Sequence, residues 1–189
     1  MSAATPPGVD PARFLTAVAE DTYELVSGLD FVTPVLVTSV PGMEEIVWPG
    51  TPVLEIPDLS GAVLVRAAFE AISEALPYGR QAVLLSGDAP DLPPLLIGKL
   101  FRELGRAALA VCPAAEGGAV AIAAHLPYPG WAEVGLDDPE PVKALRARAP
   151  GPRTVATGPG WHRLRAPGDV HRLDPGLEGW DNTRALLSA

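Results

Sequence analysis

An α/β fold with helices on both faces of a mainly parallel sheet, a three-layer α/β/α sandwich, is what this sequence predicts. Short apolar runs at residues 34–39, 52–56, 82–85, 107–111 and 119–124 have strand length. Stretches with helical spacing separate several of them, at 60–76 and 94–104. The strand runs are apolar without alternation, as strands covered on both faces are, and strands alternating with helices indicate βαβ units.

The elements follow in order. Asp10-Pro11 is a helix start, with Asp at the N-cap and Pro at the first helical position. Phe14, Val18, Leu25 and Leu29 then recur at helical spacing, Glu20, Asp21 and Glu24 supply a wet face, and Gly28 marks the end. A strand at 34–39, a loop or short helical turn at 41–50 carrying Trp48, and a strand at 52–56 follow. The helix at 60–76 presents Val63, Ala67, Phe69, Ala71 and Ile72 as apolar candidates. After the strand 82–85 and an acidic loop comes a helix at 94–104. Strands at 107–111 and 119–124 are joined through Pro113 to Gly118, where Gly117-Gly118 suits a hairpin-like turn. A helix at 138–147, a short strand at 154–156 and a C-terminal helix at 178–187 complete the chain. Residues 1–10, rich in Ala and Pro, read as a flexible segment, and 11–189 as one domain.

Composition excludes several functions. The chain has 189 residues, 48% of them hydrophobic, enough for a sizeable core. A formal charge of −9 argues against sequence-independent nucleic-acid binding and against anionic membranes, both of which need a basic surface. No run approaches the ~20 apolar residues of a membrane span. The N-terminus lacks the basic and apolar regions of a signal peptide, so a cytoplasmic protein is expected. The single cysteine, Cys112, forms no internal disulfide and reads as a buried small hydrophobe. His125, His162 and His171 match no metal-ligand spacing, His162 standing out for its place between Trp161 and Arg163. The four tryptophans, Trp48, Trp131, Trp161 and Trp180, read as packing residues before base-stacking platforms.

The chemistry concentrates in Ser86-Gly87-Asp88-Ala89-Pro90-Asp91-Leu92-Pro93, where a buried strand ends in two carboxylates just ahead of a helix. Ligands of open α/β sheets sit at the carboxyl ends of strands, and carboxylates there hold a hard divalent cation that holds a phosphate. The bland alternatives are that Asp88 satisfies loop amides and Asp91 caps the following helix.

With its preceding strand, this segment is similar to the strand–(G/T)DxPDLP–helix segment of a family of bacterial glycosyltransferase-A-type proteins often found beside radical-SAM genes. These are related more distantly to the molybdenum-cofactor and phospholactate nucleotidylyltransferases. The turn Cys112-Pro113-Ala114-Ala115-Glu116-Gly117-Gly118 resembles the family's P-A-x-D-G-G turn. The resemblance spans 10–173 and implies a nucleotide-diphosphosugar-transferase fold binding a nucleotide or nucleotide sugar through Mg²⁺ or Mn²⁺. It casts Asp88 as the metal-binding aspartate and Asp91 as support for the loop or the second coordination shell. Gly117 and Gly118 would let the backbone pass close to an acceptor.

The chain departs from that pattern in three places. The family's opening strand and basic phosphate loop have no counterpart ahead of the first helix, so the fold is expected to be N-terminally truncated. The family's D-x-D-T-P-x-D aligns with Arg163-Leu164-Arg165-Ala166-Pro167-Gly168-Asp169, which puts arginines where both leading carboxylates stood. Ala119 follows Gly118 where the family has an aromatic residue. Guanidinium groups repel a cation but bind phosphate, so Arg163 and Arg165 could form a metal-independent anion site. A surface salt-bridge role is equally open to them.

Without the first strand, either 35–38 pairs directly with 82–85, or an edge stays open, a liability that a homo-oligomer closes. Two functions remain. One is a divergent glycosyl- or nucleotidyltransferase using Asp88 for a cation or nucleotide and Arg163/Arg165 for phosphate. The other is a non-catalytic binding or assembly protein that keeps the scaffold, toward which the absent phosphate loop tilts the reading.

Overall fold

The computed structural model describes residues 4–188; the flexible segment expected at 1–10 therefore lies partly outside the described residues. Helix α1 (Pro11–Ser27) starts where the sequence predicts, with the Asp10 carboxylate accepting the Arg13 N–H at 2.9 Å. It closes at Gly28, whose N–H donates to the Glu24 carbonyl at 3.0 Å. Strand β1 (Leu36–Thr38), a 3₁₀ turn at Met43–Ile46, and β2 (Val53–Glu55) follow. Next come α2 (Gly61–Ala75), β3 (Gln81–Leu85), α3 (Pro94–Glu103), β4 (Leu109–Pro113) and β5 (Ala119–His125). Helix α4 (Pro141–Arg148), β6 (Val155–Thr157), a 3₁₀ turn at Pro167–Arg172 and α5 (Asp181–Leu187) end the chain.

The strands form two sheets, β1-β2 and β3-β5-β4-β6. The expectation of a mainly parallel sheet is corrected: β5 pairs antiparallel with both β3 and β4, while β4–β6 and β1–β2 are parallel. The reason is local. Gly117 and Gly118 adopt φ +92° and +88°, the left-handed region open to glycine, and turn β4 straight back into β5 as a hairpin. No helix intervenes, so no parallel crossover forms. Because β5 alone is reversed, β3, β4 and β6 still run in one direction, and their carboxyl ends share one edge.

Both faces of the larger sheet are covered. Leu109 and Val111 of β4 and Ile122 and Ala124 of β5 pack with Val65 and Phe69 of α2 and Leu145 of α4. The alternate residues Ala110, Cys112, Ala121 and Ala123 pack with Leu96, Ile97 and Leu100 of α3. Small side chains on this second face let α3 lie close. Each fully buried side chain such as Phe69 or Leu100 contributes about 1.5–3 kcal/mol.

A third cluster joins α1 to the C-terminal region through Phe14, Val18, Leu164, Leu173 and Trp180, with Ala4 buried in it. Asp21, 1% exposed, accepts from the backbone N–H groups of Asn182 at 3.0 Å and Thr183 at 2.8 Å and from the Asn182 amide at 3.0 Å. These donors open α5, so a carboxylate on α1 satisfies the orphan amides at that helix start.

Strand β1 pairs with β2 and not with residues 82–85, so the outer edge of β3 carries no strand among the described residues. No helix among the described residues is long and apolar enough to cross a membrane.

Candidate functional site

Three loops meet where β3, β4 and β6 end. The Ser86 N–H donates to the Val120 carbonyl at 2.8 Å, the last rung holding β3 to β5, and the chain then turns. Ala89 and Leu92, 1% and 2% exposed, anchor that turn in the core beside α3. The acidic loop is therefore fastened by apolar residues between its carboxylates, and both carboxylates are buried, Asp88 at 5% and Asp91 at 3% exposure.

The strand-like segment after β6 lies across this edge. The Trp161 N–H donates to the Pro113 carbonyl at 3.1 Å, and the Trp161 carbonyl accepts the Ala115 N–H at 2.9 Å. The Leu164 N–H donates to the Asp88 carbonyl at 2.7 Å, which sets the neighbouring Arg163 side chain opposite the Asp88 carboxylate.

Arg163 grips Asp88 with both prongs. Its Nε–H donates to Asp88 Oδ1 at 2.7 Å and its Nη2 to Oδ2 at 2.9 Å, a bidentate pair of two side chains each 7% exposed. Its Nη1 donates to the carbonyls of Ala119 at 3.2 Å and Leu136 at 3.1 Å and to Asp137 Oδ1 at 2.9 Å. Ser86 Oγ adds a further hydrogen bond to Asp88 Oδ1. Burial pulls the Arg163 guanidinium down, but the hydrogen bonds and charges of Asp88 and Asp137 outweigh it and the net shift is upward. Arg163 is thus a permanent cation with each of its three nitrogens engaged.

The reading of Asp91 as a cap for α3 is corrected: the N-cap position is Pro93, with no side-chain cap. Asp91 instead receives the Trp161 indole N–H on Oδ1 at 3.1 Å and the Asp174 backbone N–H on Oδ2 at 3.1 Å. Its partners are 70 and 83 residues away in sequence, beyond any local motif. The His162 ring stacks on the Trp161 indole with centroids 4.8 Å apart. Its Nε2 stands 3.0 Å from Asp91 Oδ1, out of line for a hydrogen bond, and is otherwise buried without a partner.

The remaining predicted residues are close by. Arg165 is half-exposed and its Nη2 reaches Asp137 Oδ1 at 3.1 Å, so Arg163 and Arg165 meet on one carboxylate. Gly118 passes tight against the 136–139 loop: a Cβ there would lie 2.6 Å from the Leu136 carbonyl oxygen, and at Gly117 one would lie 3.2 Å from that of Pro139. The glycines let this loop close over Arg163. A shallow cavity of about 370 Å³ opens outside Trp161 and His162, lined also by Pro113, Ala115 and Arg172. Arg172 pairs with Glu116 and Asp169.

Two participants, Asp137 and Asp174, escaped the sequence reading, and a third, Ser86, stood in the quoted acidic segment without a role. Asp137 joins both arginines, Asp174 supplies a backbone donor to Asp91, and Ser86 bonds Asp88. The pair Asp137-Asp138 ahead of a proline was the one available signal for the first. Cys112 is buried as expected; burial pushes its thiol up to about 12, and its Sγ–H donates to the Pro159 carbonyl at 3.1 Å. Trp161 and Trp180 are packed against neighbours, but Trp48 is 64% exposed, against the packing expectation for it. Among the described residues no group of three or more His, Cys, Asp or Glu side chains is placed to hold a metal ion.

No protein-family model and no curated protein sequence matches the chain. Its fold does match solved structures, among them one from Desulfovibrio desulfuricans G20 described as a "putative nucleotide-diphospho-sugar transferase". The TM-score is 0.63 at 19% sequence identity, covering 94% of this chain and 85% of that one. At that identity the likeness is one of fold, and this chain has a nucleotide-diphospho-sugar transferase-like α/β fold.

Proposed function

We propose that this protein is a non-catalytic binding or assembly protein that keeps a nucleotide-diphosphosugar-transferase scaffold and has replaced a cation at the strand end by an internal guanidinium. The observation that carries this reading is the bidentate Arg163–Asp88 pair. A carboxylate whose two oxygens are engaged by a buried arginine and a serine hydroxyl has little left to offer Mg²⁺ or Mn²⁺, and the guanidinium repels either ion.

The same bookkeeping weakens the anion-site alternative. Arg163, Arg165 and Arg172 are each already paired, and Asp88, Asp91, Asp137, Glu116 and Asp169 outnumber them five to three along this edge. A phosphate approaching it meets net negative charge. A bacterial, cytoplasmic setting belongs to the same proposal, resting on the Arg-, Ala-, Gly- and Pro-rich composition and the single cysteine.

The test is a binding panel on the full chain: nucleoside triphosphates and UDP-, GDP-, CDP- and dTDP-sugars, each with and without Mn²⁺ or Mg²⁺, followed by calorimetry and thermal shift. No saturable, metal-dependent binding is expected. A metal-dependent shift in the wild type that disappears in Asp88→Asn overturns the reading and restores the transferase.

A further inference from the structure

A cavity of about 340 Å³ lies between the outer edge of β3 and the outer edge of β1, lined by residues 34–37 and 81–85. The hydrogen-bond ladders fix which backbone groups face it. The Ser86 N–H donates to Val120 and the Leu126 N–H to Arg80, so even-numbered residues of β3 bond β5. The amide groups of Gln81, Val83 and Leu85 therefore point the other way, into the cavity. Likewise the Leu36 N–H donates to the Pro52 carbonyl at 3.0 Å and the Ile56 N–H to the Thr38 carbonyl at 2.9 Å. That spends the even residues of β1 on β2 and leaves Val35 and Val37 facing β3 across the gap. Among the described residues, none of these five residues makes a backbone hydrogen bond on the cavity side. Tyr23 and Val26 of α1, Ile72 of α2, and Ile97 and Phe101 of α3 wall the space.

We propose that this gap is a strand-accepting site, into which an extended apolar segment of a partner protein inserts between β1 and β3 and joins the two sheets into one. Complementarity of partial charge identifies the occupant. Each wall presents N–H and C=O groups at the repeat of a strand, one wall opposite the other. An extended backbone presents the matching array to both sides at once, because its alternate residues direct their amide groups oppositely. A compact apolar molecule would fill the walls and leave the two rows of amide groups unpaired, which disfavours it. Helices line the cavity above and below, so the inserted segment is a continuous apolar run of about five residues, the length of β3. The net charge of −9 favours basic flanks on that segment. The inference goes beyond the reading of the Asp88 centre and stands independently of it.

The probe is a soluble peptide, Val-Thr-Val-Ile-Val between pairs of lysines with both ends blocked, added to the full-length protein. Saturable binding is expected, with amide exchange at Val35, Val37, Gln81, Val83 and Leu85 slowed about tenfold or more. The same peptide N-methylated at alternate residues, which removes its donors on one side, is expected to bind at least about tenfold more weakly. Val83→Pro, which removes a donor not used by β5, should weaken the unmodified peptide similarly. If that variant does not fold, the methylated and unmodified peptides on the wild type decide. Equal binding of the two peptides, no binding, or peptide-free protection of these amides in a concentration-dependent dimer would each overturn the proposal. The first outcome points to simple apolar filling and the last to a second copy of the chain. Failure here leaves the nucleotide panel untouched, and the reverse holds.

Discussion

At the end of β3, each oxygen of the Asp88 carboxylate is bonded, by a guanidinium whose remaining nitrogen, Nη1, is also engaged. Along the outer edge of the same strand, three successive odd-numbered residues present amide groups to an apolar cavity with no backbone partner among the described residues. The first region, rich in charge, looks like a site in the sequence and is a closed network. The second, built of Val, Leu and Ala, looks like core in the sequence and is open. Charged residues reveal capacity for binding only when their partners leave something unspent, and the backbone is as much a reservoir of unspent hydrogen bonds as any side chain.

The largest expected effect breaks the closed region. Arg163→Met leaves the buried Asp88 carboxylate uncompensated and should cost about 3–5 kcal/mol in urea unfolding. Combining it with Asp88→Asn should recover a large part of that loss; no recovery would mean that the pair is not the source of the cost. Next, Asp91→Ala strands the Trp161 indole N–H and the Asp174 amide, with an expected loss of about 2 kcal/mol and a change in tryptophan emission. Unchanged stability and emission would show the second carboxylate to be dispensable.

Alkaline pH supplies a third, smaller effect that neither region governs. Burial holds the Cys112 thiol at about 12, up from 9.0, and the Tyr128 hydroxyl at about 12, up from 10.0. The native state therefore retains protons that the unfolded chain has released. The stabilisation is complete below pH 9 and is lost as pH climbs toward 12, amounting to about 1–2 kcal/mol by pH 10. Arg163 stays charged across that window, so Cys112→Ala should flatten the decline while Arg163→Met should not; a flat profile in the wild type would refute the burial of both groups. The smallest effect tests the open region. Val83→Thr, on a half-buried wall of the cavity, should change stability by less than about 1 kcal/mol, and a larger loss would mark the cavity as part of the core.

Several parts of this arrangement were legible in the residues. Asp10-Pro11 announced the start of α1, because a cap and a fixed φ act within one turn. Gly117-Gly118 signalled the hairpin for the same local reason. The direction of β5 relative to β3 was not legible: an apolar run carries neither polarity nor register, and only the hairpin reversed it. At the site, Asp88, Asp91, Arg163 and Arg165 were all picked out, and they do gather at one edge. Their roles turned on pairings across 75 residues for Arg163–Asp88 and 83 for Asp174–Asp91, which no spacing rule encodes. The sequence left a salt-bridge role open to the arginines at the surface, but it carried no signal that Arg163 would bury its guanidinium against Asp88, 75 residues away.

The carboxylate of Asp21 has a consequence for how the chain comes into being. Its hydrogen-bond partners, Asn182 and Thr183, lie 161 and 162 residues downstream, and Phe14 and Val18 on the same helix rest on Trp180. During synthesis α1 emerges well before the C-terminal region, so its buried acid and the Phe14 and Val18 end of its apolar face find their native partners only after the last strand has been made. Contacts of such separation close late and slow the approach to the native state. That end of the first helix thus stays without its native surroundings, and in need of shielding, until the C-terminal region is made.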